Sequence, residues 1–452
     1  MELNMRTVRY YETVLDTGLT KEESADIIVP DLFPDIMRIV DASGLVAVKE
    51  KNAWDARAEV SGVVRAVVLY VPESARGLKK IDVSLPFTHT FENQGITPES
   101  KILAKAALLT AEARAVNPRK VQVTVGVQLD VTVYALAEWG LCEDLTDAKA
   151  HSAHLLKSAE RAFMPVAAQC KEFTVSDELE VPGSRPPVLE ILKADARLVT
   201  QEVKFIGNKL IFKGSALLRM LYAGPPANQP ADEICLWEQE IPYSQILETE
   251  SLEEGGEAAV DIRLTALDLD LRPGLSGEAR LLGVTLQLEA QAVSVAERKL
   301  EAVVDVYSTA YDVLPEFRAY QIVRRLDRST RRQTVRESLE TGQPVSSVVD
   351  AQITLWPVQH RQEDGTIELS AEALAKVVYL GDDQQFYTLQ RHLPVALGWE
   401  SGGNAQIKAT AALAGEVLAS GTHDGIELRF AVDFDVTLSE NGQFSALGAV
   451  SV

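Results

Sequence analysis

Three copies of one motif order constrain this chain more than any single residue does, because repeated modules must fold alike. The first copy is Val29-Pro30-Asp31-Leu32-Phe33-Pro34-Asp35-Ile36-Met37-Arg38-Ile39-Val40. The second, Val181-Pro182-Gly183-Ser184-Arg185-Pro186-Pro187-Val188-Leu189-Glu190-Ile191-Leu192, stands 152 residues later. A worn third copy, Pro344-Val345-Ser346-Ser347-Val348-Val349, aligns with 187–192 at an offset of 157. Each copy leads to an apolar run ending in tyrosine, at Tyr70, Tyr222 and Tyr379. Next come Leu85-Pro86-Phe87 with Phe91-Glu92, Ile241-Pro242-Tyr243 with Leu247-Glu248, and Leu393-Pro394-Val395 with Trp399-Glu400. Proline and glutamate are six residues apart in all three. An alternating run, 126–133, 283–290 or 431–438, closes each copy. The pattern predicts a triplicated module of roughly 100–110 residues, with divisions at 1–145, 146–298 and 299–452.

The repeats settle one ambiguous stretch. Residues 101–115 are alanine-rich and read as helix on propensity alone. Their counterpart at 259–271 alternates apolar and polar residues with a period of two, a strand signature, and 405–417 is compatible with it. Strand is therefore expected in all three. Short β-branched runs separated by Gly, Pro and Asn argue for an all-β chain with minor α: three tandem antiparallel β-sandwich modules, each with a short helix. The helix is placed at Pro186-Pro187-Val188-Leu189-Glu190-Ile191-Leu192 and its copies, where prolines precede apolar residues at helical spacing. Two periodic stretches, 137–172 and 298–331, read as docked bridges between modules. Pro86, Pro242 and Pro394 are expected to set an edge or bulge in equivalent strands. Glu92, Glu248 and Glu400 are expected to make a structural hydrogen bond or ion pair. The glycine pairs 255–256 and 402–403 read as turns.

Charge narrows the function classes. The chain has 452 residues, with 44 Lys+Arg against 66 Asp+Glu and a net charge of −22. Such a surface repels phosphate backbones and anionic lipid, which argues against nucleic-acid binding. Arg324, Arg325, Arg328, Arg331 and Arg332 form the one dense basic run. No apolar run approaches the ~20 residues that span a bilayer, so no membrane insertion is expected, and Met1 to Arg6 lacks a secretory apolar region. Cys142, Cys170 and Cys235 lie far apart and suggest neither a disulfide framework nor a zinc site.

A search for chemistry returns little. His151 and His154 are spaced as ligands on one helical face, but no completing ligand stands nearby. No nucleophile elbow, phosphate-binding loop or dinucleotide fingerprint occurs. One equivalent glutamate per module does not make the two differing carboxylates of a glycosidase. Acidic residues alternating in 267–271 and 432–436 fit a polar strand face better than a calcium site. Asp31 and Asp35 become Gly183 and Pro187 in the second copy, so they lie outside the common framework. The expectation is a protein without catalytic residues, cofactor or metal.

The proline-rich motifs at 29–40 and 173–192, the tyrosine-ended strands and Val303-Val304-Asp305-Val306-Tyr307-Ser308-Thr309-Ala310-Tyr311-Asp312-Val313 together resemble the SPOCS-domain spore proteins of endospore-forming Clostridia, over roughly residues 20–440. SipL-type members of that family work with the ATPase at the base of the spore coat and end in a LysM module. The third closing strand stands close to the last residue of this sequence, so no LysM module is expected in it and the adaptor role is not expected to carry over whole. The resemblance implies synthesis in the mother-cell cytoplasm, deposition on the spore surface, and a non-enzymatic structural role in the coat or envelope. Self-assembly into a filament, tube or sheet is expected, with copies of itself and other coat proteins as partners. Exposed sheet edges, and an N-terminal segment such as Thr7 to Thr13 free to add a strand to a neighbour, would supply the contacts. The alternatives are a coat adaptor that binds the basement-layer ATPase and, more distantly, a carbohydrate-binding protein.

Overall fold

The computed structural model describes the whole chain except residues 1, 74–76, 150, 227–231, 250–255, 275–276, 402–404 and 452. Gly255, Gly402 and Gly403 therefore lie outside the described residues. All regular structure among the described residues is β, and every ladder is antiparallel.

One topology appears three times. The first unit contains β1 (Leu3–Ile28), β2 (Ile36–Trp54), β3 (Arg57–Pro72), β4 (Lys79–Glu92), β5 (Lys101–Asn117) and β6 (Lys120–Leu145), arranged as sheets β1-β6-β5 and β2-β3-β4. The second contains β7 (Ala153–Glu180), β8 (Glu190–Ile206), β9 (Lys209–Gly224), β10 (Glu233–Glu248), β11 (Glu257–Pro273) and β12 (Ala279–Ser308), with the orders β7-β12-β11 and β8-β9-β10. The third starts with β13 (Leu314–Glu340). Its β14 (Val345–Leu355) and β15 (Gln359–Glu363) pair with successive halves of β16 (Thr366–Gly381). Trp356-Pro357 separates them, since proline has no N–H to give the ladder. Then follow β17 (Phe386–Glu400), β18 (Gln406–Gly421) and β19 (Gly425–Ser451), with β13-β19-β18 forming the other sheet. Residues 101–115, ambiguous on propensity, form most of β5.

Alternation builds each core. Along β6, Val121, Val123, Val125, Val127, Leu129, Val131 and Val133 are all buried, facing Val60, Val64 and Val68 of β3. Leu282 to Ala292 of β12 and Ile426 to Leu438 of β19 do the same in the other two units. Each such side chain contributes about 1.5–3 kcal/mol on burial.

Three expectations need correction. No helix occupies Pro186–Leu192. Val188 enters the core of the second unit, β8 begins at Glu190, and the register slips by one residue between Ile191 and Lys193. That bulge turns Leu192 toward a different cluster, so apolar residues at 188, 191 and 192 imitate helical spacing on an extended chain. The same slips occur at Ile39/Asp41 and Val348/Asp350. Second, the stretches 137–172 and 298–331 are not separate bridges. They are the far ends of β6, β7, β12 and β13, and the boundary placed at 298/299 falls inside β12. Third, Thr7 to Thr13 is no free segment, for it pairs with Tyr134 to Gly140 of β6.

Candidate functional site: a three-way junction

Two of the three proline motifs form one anchored turn. The Tyr70 hydroxyl donates to the Pro34 carbonyl at 3.1 Å, and Tyr222 donates to Pro186 at 3.1 Å. Burial pushes the Tyr222 phenol up to about 12, keeping it a neutral donor. An arginine near the start of the last strand clamps each turn. Arg119 donates to the carbonyls of Phe33, Val29 and Pro30 and pairs with Asp35 and Asp31. Arg280 donates to the carbonyls of Pro182 and Arg185. Tyr379 is also buried, but it stacks on Tyr387 at 5.6 Å in place of the proline contact.

Pro86, Pro242 and Pro394 stand exposed on β4, β10 and β17, each an outer strand of its sheet, in regular register opposite Val63, Ser215 and Glu372. Glu92, Glu248 and Glu400 end those strands in solvent, and among the described residues none makes a side-chain hydrogen bond or ion pair. The structural bond expected of them is absent from the described contacts.

The bulges bring the three units together. Val40, Leu192 and Val349, the residues left over by the three slips, meet in one cluster with Leu69, Leu221 and Val378. All six follow the repeat offsets, so the outer faces of β2-β3-β4, β8-β9-β10 and β14-β16-β17 converge on a pseudo-threefold axis. Beside them lies a buried charge network. Each bulge is followed by a charged residue: Asp41, Lys193 and Asp350, exposed by only 3%, 8% and 5%. Lys193 reaches Asp350 at 2.7 Å and Asp41 at 3.5 Å. Arg219 of the second unit reaches Asp350 at 3.0 Å, and Lys376 of the third reaches Asp41 at 3.3 Å. Arg219 and Lys376 are themselves equivalent positions, and their counterpart in the first unit is Val67. A cation thus faces the next unit's aspartate, and valine stands where the next unit offers lysine.

The electrostatics are reciprocal. Burial works against the Lys193 ammonium, yet Asp350, Asp41 and Asp195 outweigh it and hold its pKa above the ordinary value. Burial likewise opposes the Asp350 carboxylate, which Lys193 and Arg219 keep below the ordinary range. Asp195 accepts a 3.0 Å hydrogen bond from Gln352 of the third unit, but burial pushes its carboxyl up.

At the other end, the overhangs of the first and last strands of each unit form two-stranded ribbons that pack into a stalk. Val8, Leu141, Ala162, Met164, Leu300, Tyr320, Ile322 and Phe444 share its core. Tyr320 donates to the Gly140 carbonyl at 2.5 Å and its ring lies 5.2 Å from Trp139. Arg324 joins Glu160 at 2.7 Å, and Arg325 clamps Glu257 through two hydrogen bonds of 2.6 and 2.8 Å, so much of the basic run is spent between units.

A model of the SipL, SPOCS domain family matches residues 35–116 and 187–272. These segments coincide with β2–β5 and β8–β11, the strands that carry the bulges and the axis-facing residues. The chain belongs to the SPOCS-domain family. No curated protein and no solved structure matched the chain. In this SPOCS protein each matched segment lacks the long outer pair, β1 and β6 or β7 and β12, that closes its core. The third unit lies outside both matches while repeating their strand order. Membership in the family points to a role connected with sporulation.

Residues singled out for chemistry do not converge. His151 pairs with Asp147 at 2.9 Å, whereas His154 stacks on Tyr307. Cys142, Cys170 and Cys235 are free thiols. No group of three metal-ligating side chains, and no helix long and apolar enough to cross a membrane, occurs among the described residues. The junction charges went unnoticed in the sequence, although aligning the copies places Asp41, Lys193 and Asp350 at one position inside apolar runs.

Proposed function

We propose that this SPOCS protein is a non-enzymatic structural protein of the endospore coat or envelope. Its three units act as tandem β-sandwich modules closed around one axis, a preassembled block that polymerises into a filament, tube or sheet. The observation that carries this reading is the junction of bulge residues and reciprocal charges. A buried ionic network costs desolvation and is retained best where it fixes register and partner order. A rigid, multi-lobed unit with open sheet edges is suited to lattice building. Electron micrographs of the purified full chain in negative stain at physiological salt test it. Ordered polymers are expected; a uniform field of dispersed particles contradicts the reading.

One feature favours a second reading, an adaptor for another coat protein. Leu32 is 97% exposed on the turn clamped by Arg119, and Ser184 occupies its place in the second unit. A fixed apolar residue unique to one unit suits a specific contact. Loss of a coat partner on Leu32→Ser, with polymers unaffected, is the outcome that would assign Leu32 to it.

A further inference from the structure

We propose that the outer edge of β13 in one copy pairs with the outer edge of β7 in a second copy, joining the basic third unit to the acidic second unit. This inference rests on the polymer reading above and names its contact.

Six strands border the sheets on the side away from the β2/β5-type closure. Three of them, β4, β10 and β17, carry Pro86, Pro242 and Pro394 and are poor templates for another strand. The other three are β1, β7 and β13. Each pairs with a single strand, β6, β12 or β19, and so presents one row of unpaired backbone groups. Their stalk halves pack against neighbouring units, and the head half of β13 touches one at its start, through Arg328 and Glu257.

Charge distinguishes these three edges. Residues 172–180 of β7 hold Glu172, Asp177, Glu178 and Glu180 and no cation. Residues 328–340 of β13 hold four arginines against Glu337 and Glu340, an excess of two positive charges in a chain of net −22. Three of those arginines are engaged within the chain: Arg328 with Glu257, Arg331 over the Trp399 ring, and Arg332 with Asp433. Arg336 is not. It is exposed and lies directly opposite Arg429, a like-charged cross-strand pair, and among the described residues no carboxylate is bound to either. Such a pair destabilises an isolated sheet and is relieved by an incoming acid. On β7, Glu178 already lies 3.5 Å from Arg272 of its own unit, so Glu180 is the acid that sheet extension from β13 to β7 of another copy would offer to Arg336, with Glu178 beside it. Residues 18–28 of β1, with Lys21 among its acids, complement β13 less well.

The two edges differ, so the contact is head-to-tail, and each copy has one of each; such contacts propagate. The test uses the full chain and two exposed-site variants, Arg336→Glu/Arg429→Glu and Glu178→Arg/Glu180→Arg, with circular dichroism confirming the fold. Polymer recovered by sedimentation is expected to fall at least about tenfold for either variant alone, since like charges then meet across the contact. A 1:1 mixture of the two is expected to polymerise again, because each mutant edge meets its complement. Normal polymers from both variants would overturn this contact and leave the polymer reading standing. Loss of polymers in the variants without rescue on mixing would also overturn it. A wild-type chain that forms no polymers would overturn both.

Discussion

The head junction and the stalk solve the same problem, three units meeting on one axis, with opposite chemistry. The core of the stalk packs apolar and aromatic residues, with Val8, Leu300 and Ile322 drawn from three different units, and its ion pairs between units, Arg324–Glu160 and Arg325–Glu257, stay partly exposed. The junction instead sets Asp41, Lys193 and Asp350 at one repeat position and faces Asp350 with Arg219 and Asp41 with Lys376, so exchanging two units would bring Lys376 against Lys193. Apolar packing therefore supplies stability without much preference for order, and the ionic set supplies order at a cost in desolvation. The comparison explains why three units of one topology close in one arrangement.

The strongest way to break this contrast is Lys193→Met. It leaves Asp41 and Asp350 facing each other in a buried site and is expected to destabilise the chain by about 3–5 kcal/mol, read from denaturant unfolding. A loss below about 1 kcal/mol would place the network in the class of weak surface pairs. In the stalk, Leu300→Ala is expected to cost about 3 kcal/mol and to do so locally: hydrogen exchange should rise in the ribbons and stay low in β3 and β9. Equal loss of protection in the head would mean that the two regions fold as one.

Acid sharpens the difference. The Asp350 pKa is lowered on folding, so its contribution is complete above the unfolded carboxylate value near 3.9 and disappears as pH falls through the folded value. Asp195, raised by burial, titrates in the opposite sense and partly offsets that loss. The melting temperature of the wild type is expected to drop below about pH 4, with a shallower acid limb in Asp350→Asn. Parallel limbs would remove Asp350 from the account. The smallest effect distinguishes the first two units from the third: Tyr222→Phe should cost about 1 kcal/mol through its bond to Pro186, whereas Tyr379→Phe should cost next to nothing.

Much of the architecture was legible because the copies correct one another. The alanine-rich 101–115 reads as strand only beside 259–271, and β5 confirms that comparison. The helix failed for a local reason, since the bulge before Lys193 gives a strand the apolar spacing of a helix turn. The long ribbons read as bridges because 137–172 joins the last strand of one unit to the first of the next, and nothing in one copy shows that β6 and β7 run on past their sheets to either side of residues 146–152. The junction was hidden in plain sight: Asp41 and Asp350 look like ordinary surface acids until their burial is seen, and nothing within one copy says that another unit's lysine will meet them. Tyr222 and Pro186 were visible as repeat positions, but their bond spans 36 residues and needed the fold.

Electron cryomicroscopy of the full chain, with class averages sorted for views down the long axis, tests the central claim most directly. Strands of 26–30 residues make a block roughly 90 Å long at about 3.3 Å per residue. Three equal lobes fixed around one centre, in single particles or within a polymer, are the predicted result. Lobes strung in a line at variable spacing would contradict it.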